Sequence, residues 1–135
     1  VKEELRQLVL YQMERAKEAI EEAELLFSKG HIRTSVNRLY YACFYAASAI
    51  LLAKGYSSSK HSGIRSLFHQ KVVKAGLVSP SAGPLYNRLF DARQKADYAD
   101  LVNFEASDVA PWFDEVRSLI NQIENLVAKE VGNCI

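Results

Sequence analysis

Wound at 3.6 residues per turn, the segment from about His31 to Lys54 is apolar on nearly every side, and this constrains the fold more than any other feature. Val36, Leu39, Tyr40, Cys43, Ala47 and Ile50 fall on one face; Tyr41, Tyr45, Ser48 and Leu52 fall on another. A helix without a polar side has to be enclosed by others, so it is expected at the centre of a bundle. Its uninterrupted apolar run, Ala42 to Ala53, is too short to span a bilayer and contains Tyr45 and Ser48, so no membrane contact is expected.

The rest of the chain supplies the enclosing helices. From about Glu3 to Ser28, Leu5, Leu8, Val9, Gln12, Met13, Ala16, Ala19, Ile20, Ala23, Leu26 and Phe27 make one stripe with Glu and Lys opposite, and Gly30 ends it. A third helix, capped by Ser58 or Ser59, carries Ile64, Leu67, Phe68, Val72 and Ala75 and stops at Gly76. A fourth begins with Pro84 in its first turn and turns Leu85, Leu89, Ala92 and Ala96 inward. The fifth, capped by Ser107 with Pro111 in its first turn, carries Val109, Trp112, Phe113, Val116, Leu119, Ile120, Ile123, Leu126 and Val127. Strand-like alternation is almost absent. The fold class is therefore all-α, an up-and-down bundle of about five helices, with residues 1–130 as one domain and 131–135 as a frayed tail.

A chain of 135 residues buries a sufficient core without disulfides or a metal. The charged start, Lys2-Glu-Glu-Leu-Arg, reads as a helix rather than a leader, and a cytoplasmic location is expected. A net charge of +1 gives no global field for nucleic acid, so any such contact has to come from a local patch. Cys43 lies within the apolar helix and Cys134 near the end, which fits a core residue and a free thiol. No His pair at metal spacing has a Cys or carboxylate to complete a site, so no metal or cofactor is expected.

Function is sought where mostly apolar helices retain polar groups. Asn37, Tyr41 and Tyr45 share one side of the central helix, and a helix interior gains nothing from an Asn. Arg93 and Asp97 stand four apart on one face of the fourth helix, with Tyr98 alongside. They form either an ordinary ion pair with a packed ring, or a guanidinium fork for a phosphate, an acid that orients it, and a phenol that stacks on a base. At the third helix's start, Lys60-His61-Ser62-Gly63 offers a cation, a group that titrates near neutral pH, and helix N–H groups suited to an anion. Alternatively it is a solvated, capped loop.

Taken together, Asn-Arg-Leu-Tyr-Tyr-Ala-x-Phe from Asn37, Lys-His-Ser-Gly from Lys60, Lys-Ala-Gly-Leu-Val from Lys74 and Arg-x-x-Ala-Asp-Tyr from Arg93 resemble the HEPN domain. The likeness is strongest to small stand-alone HEPN proteins of archaea and bacteria and covers residues from about 5 to 127. The resemblance implies a helical homodimer, often encoded beside a minimal nucleotidyltransferase (MNT) as a toxin–antitoxin-like pair. It also implies RNA or nucleotide binding and, in active members, metal-independent endoribonuclease chemistry from an Arg followed four to six residues later by a His. Arg93 matches the Arg, but Tyr98 stands where the His is expected, and a phenol of ordinary pKa about 10 is a poor base at neutral pH. Arg93, Tyr98 and His61 are thus the expected catalytic group. Asn37, Tyr41, Lys60, His61, Arg93, Asp97 and Tyr98 are the expected binding set. In a non-catalytic alternative the chain is a helical scaffold that docks a nucleotidyltransferase.

Overall fold

A computed structural model of the chain describes residues 2–97 and 103–132, together with the backbone but not the side chain of Tyr98. Among these residues there are five α-helices and no strand: α1 (Glu3–Ser28), α2 (Ile32–Ala53), α3 (His61–Phe68), α4 (Ala82–Tyr98) and α5 (Ala106–Gly132). The long α1, α2 and α5 form the body of an all-α bundle, and α2 is its centre, packed against each of the other four.

The α1–α2 interface is the most extensive in the molecule. Small buried residues, Ala16, Ala19 and Ala23 on α1 and Ala42, Ala46 and Ala49 on α2, allow close packing there. The fully buried Ser35 donates its hydroxyl to the Ala23 carbonyl at 2.9 Å, so its polar group is satisfied. Surface ion pairs run from α5 to α1 and α2, including Lys17–Glu124, Arg117–Glu24 and Lys54–Glu130. Such exposed pairs each contribute only about 0–1 kcal/mol, so apolar packing holds the bundle. By length and mean hydropathy α2 could cross a membrane, but most of it is enclosed by the bundle, as the core helix of a globular domain would be.

Three boundaries differ from the sequence expectation. Lys60, not Ser58 or Ser59, is the N-cap of α3; the Ser58 hydroxyl instead accepts the Lys60 backbone N–H at 3.2 Å. Ser107 is inside α5, because Asp108 and Val109 already bond back to the Glu105 carbonyl. The third helix gives way to a π-helical turn, His69–Val73, closed by a Lys74 N–H to His69 carbonyl bond of 2.8 Å. The extra residue in that turn rotates the positions beyond it, and Ala75 is exposed rather than inward. At the other end, Val131 is buried and α5 continues through Gly132; residues 133–135 lie outside the described residues.

The connection from α2 to α3 sets the site. At Gly55 the chain takes φ of 91°, a left-handed conformation that glycine adopts without steric cost, and the Gly55 and Tyr56 N–H groups cap the last carbonyls of α2. The chain then returns along α2 and begins α3 at His61.

Candidate functional site

Helix α2 presents Asn37 and Tyr41 toward α4, where Asp97 and Arg93 meet them, and Arg38 lies against both on α2. The Asn37 amide nitrogen donates to both Asp97 carboxylate oxygens, at 3.2 and 3.3 Å, while its oxygen accepts from Nε and Nη2 of Arg38, both at 3.2 Å. An amide suits this position because it can donate to an acid on one side and accept from a base on the other. Arg38 is held at its far end by Glu22 at 3.3 Å.

Arg93 is the hub. Its Nη2 donates to the Tyr41 hydroxyl at 3.1 Å, and its guanidinium carbon lies 5.5 Å from the ring centroids of both Tyr40 and Tyr41. The Arg38 guanidinium is 5.0 Å from the same Tyr41 centroid, so one ring serves two cations. Nε of Arg93 lies 2.9 Å from Asp97 Oδ2, close enough for an ion pair. That nitrogen is nevertheless buried without an aligned acceptor, since the carboxylate sits off the N–H direction. The pair therefore holds Arg93 by charge and leaves a donor unspent.

His61 joins the same aromatic wall from α3. Its ring stacks on Phe44 at 4.4 Å, meets the edge of Tyr41 at 5.8 Å, and places Nδ1 2.9 Å from the Tyr40 hydroxyl. Burial first, and then the Arg93 charge, lower its pKa from the ordinary value of 6.5. His61 and Arg93 thus reach one Tyr40–Tyr41 pair from two helices. Burial raises Tyr40 to about 12, so it serves as a hydrogen-bonding phenol and not as an acid at neutral pH.

Gly63 explains the Lys-His-Ser-Gly spacing. A Cβ there would overlap the Ser58 hydroxyl and lie 2.8 Å from Ser58 Cβ, so the α2–α3 loop can close over α3 only on a bare backbone. The hydroxyl could rotate away, but Ser58 Cβ cannot. Gly63→Ala is therefore expected to cost about 1–3 kcal/mol, and adding Ser58→Gly should restore most of it. Thermal melts of the single and double variants check this; equal melting temperatures for wild type and Gly63→Ala would contradict it.

Asn37, Tyr41, His61, Arg93 and Asp97 are thus brought together. Lys60 is exposed at the α3 N-cap, and its side chain joins none of these contacts among the described residues. Tyr98 ends α4, and its side chain lies outside the described residues. Tyr45 turns from the cleft to α1, where its hydroxyl accepts from Arg15 Nη2 at 2.9 Å.

Several contributors went unrecognised in the sequence. Phe44 is the surface on which His61 stacks, and Tyr86 lies beneath Tyr40 with ring centroids 6.2 Å apart. Arg65, one turn beyond His61, lies 4.0 Å over Phe90. Its i, i+4 spacing from His61 is the only signal that marks it. Among the described residues no cluster of three or more His, Cys, Asp or Glu side chains could hold a metal ion.

The arrangement offers a half-buried guanidinium with a spare donor, a neutral-range imidazole, and aromatic faces, all fixed from α2, α3 and α4. Those groups can grip a phosphate and stack a base. The chain matches the HEPN domain over residues 9–132. A UPF0332 protein of Thermotoga maritima is 41% identical over 124 residues, 92% of this chain and 94% of that protein. Two Methanocaldococcus jannaschii proteins named as candidate toxins are 31% and 26% identical, over 94% and 96% of this chain and 86% of each of theirs. With a family match across nearly its whole length and a relative this similar end to end, the chain belongs to the HEPN domain family.

Proposed function

We propose that this HEPN protein binds an RNA or nucleotide phosphate in the cleft centred on Arg93, as a homodimer that forms the HEPN half of a toxin–antitoxin-like pair with a minimal nucleotidyltransferase. The observation that carries the proposal is the buried Arg93 Nε, held beside Asp97 yet without an aligned acceptor. A phosphate oxygen that displaces the Asp97 carboxylate from beside Nε would complete it, and the two Tyr rings would exclude water behind it. The relatives named as candidate toxins support the toxin-like setting.

In a catalytic version, the ribose 2′-oxygen bonds to phosphorus as its proton passes to His61 or to water, without metal. The Arg93 charge stabilises the phosphorane, and the P–O5′ bond breaks to leave a 2′,3′-cyclic phosphate and a 5′-hydroxyl. His61, brought to the aromatic wall that holds Arg93, favours that version. In the binding version the same residues hold the phosphate and no bond changes. Incubation of the purified protein with total RNA in EDTA, beside Arg93→Ala, separates them. Fragments lost in the variant establish a ribonuclease; intact RNA that is bound by wild type and not by the variant establishes a binding protein. Absence of both binding and cleavage would overturn the proposal in favour of a docking scaffold.

A further inference from the structure

Helix α2, although central, keeps one face partly open. Asn37, Tyr41, Tyr45, Ser48 and Leu52 are half-buried at successive turns. Side chains of α4 reach this face from one side and side chains of α1 from the other. Among the described residues α1 and α4 make no substantial contact with each other. The face is thus the floor of a groove, and the Arg93 cleft occupies part of it.

One turn along α2 from the Arg93 cleft, the same clamp recurs. The Tyr41 hydroxyl accepts from Nη2 of Arg93 on α4 at 3.1 Å, and the Tyr45 hydroxyl accepts from Nη2 of Arg15 on α1 at 2.9 Å. The two rings have centroids 5.8 Å apart, and four helical residues advance about 6 Å, a step of the order of one nucleotide in an extended strand. Arg15 spends a second N–H on the Tyr11 hydroxyl at 3.1 Å. Its guanidinium carbon lies 4.9 Å from the Tyr45 centroid and 5.8 Å from that of Tyr11.

The two clamps differ in charge. Arg93 has Asp97 beside it, whereas no carboxylate pairs with Arg15 among the described residues. The Arg15 donors that are placed go to neutral phenol oxygens, so its charge is uncompensated and its other N–H groups are left for an anion. Tyr11 is 55% exposed, which leaves much of its ring open to a flat partner. A cation held between two rings, next to an open ring, suits a phosphate followed by a base.

We infer that this groove carries a single strand of RNA past the Arg93 cleft, with Arg15 holding a neighbouring phosphate and Tyr11 stacking a base. The ligand is then an RNA strand and not a mononucleotide. The inference rests on the proposed phosphate-binding role of Arg93 and extends the bound strand by one clamp.

Fluorescence anisotropy of the full chain with a labelled single-stranded oligouridylate, competed by uridine 5′-monophosphate, tests this in EDTA. Wild type should bind the oligonucleotide more tightly than the monophosphate. Arg15→Gln should weaken oligonucleotide binding roughly 10-fold and lower the slope of log affinity against log salt by about 0.7, one phosphate contact on a single strand. Arg15→Lys should keep the wild-type slope, because the charge remains. Tyr11→Ala should cost about 5-fold or more, and Tyr11→Trp, which can still stack, should not. Unchanged affinity and slope in Arg15→Gln, with binding lost in Arg93→Ala, overturns the extended groove and leaves the Arg93 reading standing. Binding retained in both variants overturns both. Sedimentation of Arg15→Gln covers the remaining outcome: a fall in affinity accompanied by a change in mass overturns the inference, since the face then joins two copies of the chain.

Discussion

Replacing Arg93 with Ala is expected to lower affinity for single-stranded RNA by one to two orders of magnitude while leaving the fold in place. A guanidinium that donates to a phosphate makes charge-assisted hydrogen bonds of about 1.5–3 kcal/mol, which corresponds to roughly 10- to 150-fold in Kd. Arg93→Lys should recover less than half of that free energy, since an ammonium keeps the charge but not the planar fork. The structural loss is of similar size: Asn37 still bonds Asp97, and what disappears is one partly exposed ion pair, one bond to Tyr41 and two ring contacts, about 2–3 kcal/mol in all. Fluorescence anisotropy with a labelled oligonucleotide, run beside a thermal melt, reads both quantities. Unchanged affinity with a large fall in melting temperature would mark Arg93 as structural and favour the scaffold alternative.

The largest effect on stability is expected from Tyr40→Ala. Tyr40 is fully buried and its ring touches those of Tyr41, Phe44, His61, Tyr86 and Phe90, which join α2 to α3 and α4. Removing a buried aromatic ring costs about 3–5 kcal/mol, a large part of the roughly 5–15 kcal/mol that stabilises a typical domain. The melting temperature should fall by roughly 10–15 °C. Tyr40→Phe keeps the ring contacts and loses only the hydroxyl, so its cost should stay within about 1–2 kcal/mol. Circular dichroism melts of the two variants provide the comparison. A melt of Tyr40→Ala within a few degrees of wild type would mean that the aromatic wall does not hold α3 and α4 to α2.

The architecture was legible because each helix writes its packing in its own sequence. The stripe of α1 and the absence of a polar side on α2 depend on residues three and four apart, and the bundle follows from them. Arg93–Asp97 was legible for the same reason. The Asn37–Asp97 bond was not, because its partners are sixty residues apart and only the packing of α2 on α4 joins them. The helix starts at Lys60 and Glu105 were misassigned because a Ser, a common cap residue, stands beside each, Ser58 and Ser59 at the first and Ser107 at the second, and tertiary contact overrides that local signal. Ser58 is taken by the close approach of Gly63. No local pattern announces the π-helical turn either; it arises where His69 bonds Asn87 at 2.9 Å and faces the bare backbone of Gly83. The position of His61 relative to Arg93, decisive for chemistry, is set by the path of the chain between α2 and α3.

The central claim is that the buried Arg93 Nε–H awaits a phosphate oxygen, and the Arg side-chain N–H signals report on that atom. The signal of Arg93 Nε–H, assigned through Arg93→Lys, should move downfield and exchange more slowly with solvent when a single-stranded RNA oligonucleotide is added in EDTA. An unmoved Arg93 signal under conditions where the RNA is bound would contradict the account and place the binding surface elsewhere on the bundle.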